Sequence, residues 1–193
     1  MREATGDKAG SGGAKLGRRR FIRAGIGLAL VLGGSAVAVV RTRGYSLPAG
    51  RTLAGLSVWQ FVVVEHAARR IAAPDRPGGA WIPTVEDTDV AGFVDGWMAR
   101  MHPSVRRDLG RFLGYLEHLA PVAVGLGSRF SRLEPEDQDR VLAGIEASSS
   151  DLLRAGFEGL KSLVFMGYYR DPRTWSILAY DGPQVGRPPQ GWQ

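Results

Sequence analysis

The chain has 193 residues, with 25 Lys and Arg against 19 Asp and Glu, a formal charge of +6, and no cysteine. The missing cysteine excludes disulfides, thiolate metal sites, iron–sulfur clusters and covalent c-type haem within the chain. The charge is unevenly placed: residues 1–38 hold seven of the basic and two of the acidic groups, which leaves 18 basic against 17 acidic residues, or +1, on the remaining 155. A body so close to neutral carries no electrostatic footprint for nucleic acid. Its length suffices for one domain around a single core.

Residues 1–17 are polar and rich in Gly. Gly17-Arg18-Arg19-Arg20-Phe21-Ile22-Arg23 then precedes an uncharged run from Ala24 to Val40. This junction resembles the twin-arginine export signal, with Arg18 and Arg19 as the recognised pair, Arg20 as the variable position and Phe21 following. Such signals send folded proteins across the bacterial inner membrane. The run is only weakly apolar, diluted by Gly25, Gly27, Gly33, Gly34 and Ser35. Its seventeen residues would span roughly 26 Å as a helix, short of the ~30 Å hydrocarbon layer. Ala36-Val37-Ala38 is a small-x-small cleavage site. An ordinary secretory signal and a retained anchor are the competing readings of the same segment.

The expected organisation is a signal peptide over 1–38, a tether over 39–52, a helical domain over 53–181 and an extended or disordered tail over 182–193. Apolar residues at Leu53, Leu56, Val63, Val64, Ala67 and Ile71 recur at helical intervals and predict a helix from Leu53 to Ala72, although Phe61-Val62-Val63-Val64 alone favours a strand. Pro74 to Pro83 reads as a loop. A helix from about Asp89 to Met101 carries Val90, Phe93, Val94, Trp97 and Met101. Pro103 starts the next, with Val105, Leu109, Phe112, Leu113 and Leu116 as its stripe. Pro121 to Gly127 reads as a buried apolar connection. Pro135, followed by Glu136 and Asp137, opens a helix whose inner face is Val141, Leu142 and Ile145. Asp151 starts a long helix with Leu152, Leu153, Phe157, Leu160, Leu163 and Val164 turned inward. Asp171-Pro172 caps a short helix through Leu178, and Asp181-Gly182 turns the chain. The fold class is all-α, a single domain of about five to six helices.

No catalytic or cofactor constellation emerges. Glu65-His66 and Glu117-His118 lack the Glu-x-x-His spacing that puts two ligands on one helix face, because Ala68 and Ala120 stand three residues on. A half-exposed helical His is the reading for both, and His102 before Pro103 belongs to a helix start. Ser128 lacks a nucleophile elbow, and Gly25-Ile26-Gly27 follows no strand. The chain is therefore expected to hold no metal or cofactor of its own and to catalyse nothing alone. The stretch from Phe165 to Trp175 is the densest aromatic and arginine patch in the sequence. Tyr168, Tyr169, Arg170 and Trp175 are residue types that dominate binding hot spots, so the patch is a partner contact, the core of a helix corner, or both.

Phe130-Ser131-Arg132-Leu133-Glu134-Pro135-Glu136-Asp137 and the closing Met166-Gly167-Tyr168-Tyr169-Arg170-Asp171-Pro172-Arg173-Thr174-Trp175, behind a twin-arginine leader, resemble the gluconate 2-dehydrogenase subunit 3 family. Ala179 stands where that family usually has Gly before Tyr180. The resemblance implies a non-catalytic helical subunit beside a large FAD-dependent dehydrogenase subunit, often with a membrane cytochrome c subunit as well. It further implies that the small subunit carries the flavoprotein through the twin-arginine translocase to the periplasm or the outer face of the inner membrane. Two other readings remain compatible with the residues alone: an inner-membrane-tethered scaffold with an uncleaved anchor, and a stand-alone exported enzyme.

Overall fold

The computed structural model describes residues 44–72 and 81–183. Arg18, Arg19, Phe21 and the rest of the leader, the start of the tether, most of the loop after Ala72 and the end of the tail lie outside them. The described residues are all-helical: α1 Val58–Ile71, α2 Val90–Arg100, α3 Pro103–His118, α4 Ala120–Ala123, α5 Pro135–Glu146 and α6 Asp151–Tyr169, with 3₁₀ helices at Phe130–Arg132 and Pro172–Leu178. Among these residues no helix is long and apolar enough to cross a membrane.

The hub is α1, which touches α2, α3, α5 and α6. Its β-favouring run is helical because Phe61, Val63, Val64, Ala67 and Ala68 are all buried along it, and tertiary burial outweighs the few tenths of a kcal/mol that Val loses in a helix. The helix begins five residues later than the apolar pattern predicts. Ser57 donates its backbone N–H to Gln60 Oε1 at 2.8 Å, and the preceding amides of Ala54, Gly55 and Leu56 all point at Asp95 of α2. A Cβ on Gly55 would collide with the backbone of Asp95 and Ala99, so this close approach requires glycine.

Other departures follow from position. Val105 lies in the first turn of α3 and Leu152 in the first turn of α6, and both are exposed, Leu152 at 79 %. Each continues its helical stripe past the point where a neighbouring element covers it. The segment from Pro121 to Gly127 is not a buried connection: Pro121 is buried, but it lies within the short α4 and Val122 is exposed. The described part of the segment read as a tether over 39–52 runs along the body as a strap, with Leu47 packed against the core. The strap continues through Leu53, also packed there, to Leu56 within the core.

Candidate functional site

The last helix turns into a hook. After Tyr169 of α6 the chain bends at Arg170 and Asp171, and Pro172 opens the final 3₁₀ helix. The Asp171 carboxylate caps that helix by accepting from the Arg173 amide at 2.9 Å, as an N-cap residue should. The Arg173 guanidinium and the same amide hold the Asp171 carboxyl down to about 2. Inside the bend, Thr174 Oγ1 donates to the Asp171 carbonyl at 2.8 Å and Trp175 Nε1 donates to the Tyr169 carbonyl at 2.8 Å. Gly167 lets α6 lie close to α2, since a Cβ there would press on Phe93 and Val90.

Three side chains of the hook grip the turn that leads into α2. Tyr168 donates its hydroxyl to the Pro83 carbonyl at 2.7 Å, Arg170 donates to the Thr88 carbonyl at 3.1 Å, and Arg173 donates to the Asp87 carbonyl at 2.9 Å. Arg170 also lies over the Phe93 ring at 5.1 Å and Arg173 over Trp81 at 5.7 Å. These carbonyls lie in the segment before α2, and side-chain donors help to satisfy them. Tyr168 is 1 % exposed. That corrects its reading as a partner contact: it is a core residue whose hydroxyl is already committed. Arg170 is exposed at its surface, but its guanidinium serves the fold first.

Tyr169 and Trp175 are half-buried, and the surface beside them is apolar. Phe165 stacks toward Tyr169 at 6.1 Å between centroids, and Trp175 meets Tyr180 edge-on at 5.2 Å. Phe165, Met166, Leu178 and Tyr180 are all exposed. Ala179, between the last two, sits in the left-handed region at φ +49°, which costs an alanine on the order of 1 kcal/mol.

A second polar cluster went unseen in the sequence. Glu117 is fully buried at 0 % exposure. It accepts from the Tyr45 hydroxyl at 2.7 Å, from the Ser131 hydroxyl at 2.7 Å and from the Ser131 amide at 3.0 Å. Arg129 Nε stands 3.6 Å from it, while Arg129 covers the Tyr45 ring at 4.1 Å and donates to the Gly44 carbonyl at 3.1 Å. Burial and the neighbouring carboxylate push the Tyr45 phenol well above its ordinary value. Asp95 plays the matching part at the other end of the strap, accepting from three successive amides at 2.7–2.9 Å. A signal did exist, because Glu117 falls beside Phe112, Leu113 and Leu116 on the buried stripe of α3, and a charge on an apolar stripe demands partners.

His66 and His102 each make a structural hydrogen bond. Gln138 donates its side-chain amide to His66 Nδ1 and to the Phe130 carbonyl, each at 3.1 Å, which leaves that ring nitrogen an acceptor. Burial, and then the charge of Arg69, lower the His66 pKa. His102 caps α3 through Nδ1, which accepts from the Ser104 amide. Among the described residues no group of three or more His, Asp and Glu could hold a metal ion. A cavity of about 190 Å³ has Arg51, Glu65, Glu86 and Asp89 in its lining, and each of these charges is already paired: Arg51 with Asp89, and both Glu65 and Glu86 with Arg69.

The model of the gluconate 2-dehydrogenase subunit 3 family matches residues 59–182, from the first turn of α1 through the whole hook. That is well over half of the chain. The chain belongs to the gluconate 2-dehydrogenase subunit 3 family. No curated protein and no solved structure gives a significant match. Membership in a family of dehydrogenase small subunits implies assembly with other subunits of such a complex. In this subunit 3 chain the hook lies within the matched span, whereas the strap from Gly44 to Ser57 precedes it. The segment that carried the resemblance in the sequence is therefore also the segment that ties α6 to α2. Its Tyr168, Arg170 and Arg173 have a structural reason to stand where they do, independent of any partner.

Proposed function

We propose that this chain is the non-catalytic small subunit of an exported FAD-dependent dehydrogenase of the gluconate, sugar or polyol type. It binds the large flavoprotein subunit in the cytoplasm, escorts it in folded form through the twin-arginine pathway and stabilises it at the periplasmic face of the inner membrane. A membrane cytochrome c subunit completes the electron path in this reading. The observation that carries it is the family match over 59–182, on the same chain as the Arg18-Arg19-x-Phe21 leader. A signal for folded cargo makes physical sense on a small helical chain if the cargo is a partner whose flavin must be inserted before translocation.

Two measurements test this. The tagged chain, purified from its own host, should bring down a large subunit and about one FAD per complex; a colourless chain without a flavoprotein overturns the reading. Replacing Arg18 and Arg19 together by Lys keeps the charge but removes the planar, multi-donor guanidinium groups. Flavoprotein dehydrogenase activity should then remain in the cytoplasm, and normal periplasmic activity from the double variant would refute the twin-arginine step.

A further inference from the structure

We infer that the apolar strip formed by Phe165, Met166, Tyr169, Trp175, Leu178 and Tyr180 is the seat of the large flavoprotein subunit. The inference rests on the small-subunit reading above and adds to it the face that makes the contact.

The helical pattern of α6 points to this strip. Glu158, Ser162, Phe165 and Tyr169 follow one another at steps of four, three and four residues, so they lie along one flank of the helix. In the first half of α6 that flank is solvated: Glu158 and Ser162 are exposed, and Lys161 reaches Glu146 and Glu158 at 2.9 Å each. In the last two turns the same flank becomes Phe165 and Tyr169, with exposed Met166 beside them. A helix that needed only to be soluble would have stayed polar there. The hook then extends the apolar surface, because Trp175 is bonded to the Tyr169 carbonyl and Tyr180 packs on Trp175.

The size is that of an interface core. At about 200 Å² for a large side chain, the 38–56 % exposures of Phe165, Met166, Leu178 and Tyr180 sum to roughly 350 Å² of exposed surface. The largest apolar patch on a monomer is about 300–600 Å² and is commonly functional. A stable interface takes about 800 Å² from each side, with an apolar, aromatic centre and a polar rim. Asp171, Arg173 and Lys161 supply polar groups at the margins. A groove of about 340 Å³ borders Phe165, lined by Leu142, Ala143 and Phe157 together with the ion pairs Arg70–Asp139 and Lys161–Glu146, so the strip has a charged margin on that side. Ala179 keeps its unfavourable left-handed backbone between Leu178 and Tyr180, two exposed residues of the strip. The occupant follows from the family. A chain matched over this span as a dehydrogenase subunit has another subunit to face, and the strip lies entirely within the matched residues.

The test uses the full mature chain with its flavoprotein. Met166→Glu with Leu178→Glu places two charges on exposed positions, so the thermal melt of the isolated chain should not change. Affinity for the flavoprotein should fall about 100-fold or more, as expected when central contacts are lost. Leu152→Glu, at an exposed apolar position in the first turn of α6, should leave affinity unchanged. Full affinity in the double variant overturns the proposal while leaving the small-subunit reading intact; so does an equal loss from Leu152→Glu. A wild-type chain that binds no flavoprotein overturns both. If the isolated chain is a dimer that the double variant dissociates while flavoprotein binding persists, the strip faces a second copy and the proposal is wrong. A chain ending at Pro183 should bind as the full chain does, and a gain of more than tenfold would show that the chain's own end covers the strip instead.

Discussion

Removing the Glu117 side chain tests whether a buried carboxylate holds the strap to the body. In Glu117→Ala, the Tyr45 hydroxyl, the Ser131 hydroxyl and the Ser131 amide lose their acceptor, and Arg129, with its side chain only 16 % exposed, loses its counter-charge. Leaving a buried donor unsatisfied costs about 1–3 kcal/mol, and breaking one side of a buried ion pair about 3–5 kcal/mol. These overlap in a single cluster, so about 3–5 kcal/mol is the expected total. That is a large share of the roughly 5–15 kcal/mol that stabilises a domain. It corresponds to a fall in Tm on the order of 10–20 °C. Tyr45→Phe removes one hydrogen bond to a charged acceptor and should cost about 1.5–3 kcal/mol. Urea melts of both single variants and the double variant complete a cycle. In the Glu117→Ala background Tyr45→Phe should cost almost nothing, because its acceptor is already gone. If Glu117→Ala costs less than about 1 kcal/mol, or the two effects add within about 0.5 kcal/mol, the cluster is not a coupled network and the strap is held by its leucines.

Ala179→Gly removes the left-handed strain at φ +49° and should raise stability by about 0.5–1 kcal/mol; a lower Tm in calorimetry would contradict it. His66 has a folded pKa below its ordinary 6.5, so the unfolded chain takes up the proton first as pH falls. Its contribution is therefore complete above pH 6.5 and is lost as pH drops through the lowered folded value. His66→Gln should flatten that part of the stability–pH curve, and an unchanged slope would assign it to other groups.

The helices were legible because apolar spacing and capping chemistry agree along most of the chain. Pro135 with Glu136 and Asp137 starts α5, and Asp171-Pro172 starts the final 3₁₀ helix. What stayed hidden was long-range and polar. The late start of α1 depends on Asp95, forty residues on, taking up the amides of Ala54 to Leu56, and no local pattern encodes that. Composition marked the C-terminal patch as the place to look, but composition is the same for a residue that bonds a partner and one that bonds its own chain. Tyr168 and Phe165 exchange the roles that chemistry alone would give them. The tyrosine is buried with its hydroxyl on the Pro83 carbonyl, and the phenylalanine is exposed on the flank that Glu158 and Ser162 share.

The polar anchors and the apolar strip suit different tasks. Apolar contact is non-directional, so leucines alone would let the strap slide along the body. Three successive amides converging on Asp95, and a phenol and a hydroxyl converging on Glu117, admit one register only, because hydrogen bonds weaken steeply when misaligned. The same logic applies at the hook, where Tyr168, Arg170 and Arg173 each meet a particular carbonyl between Pro83 and Thr88. With the backbone so fixed, Leu178 and Tyr180 are held in place before any partner arrives. A binding face that is already ordered loses less conformational entropy on association. The internal bonds of the hook therefore support a docking role for the exposed residues beside them, even though they remove Tyr168 from the interface itself.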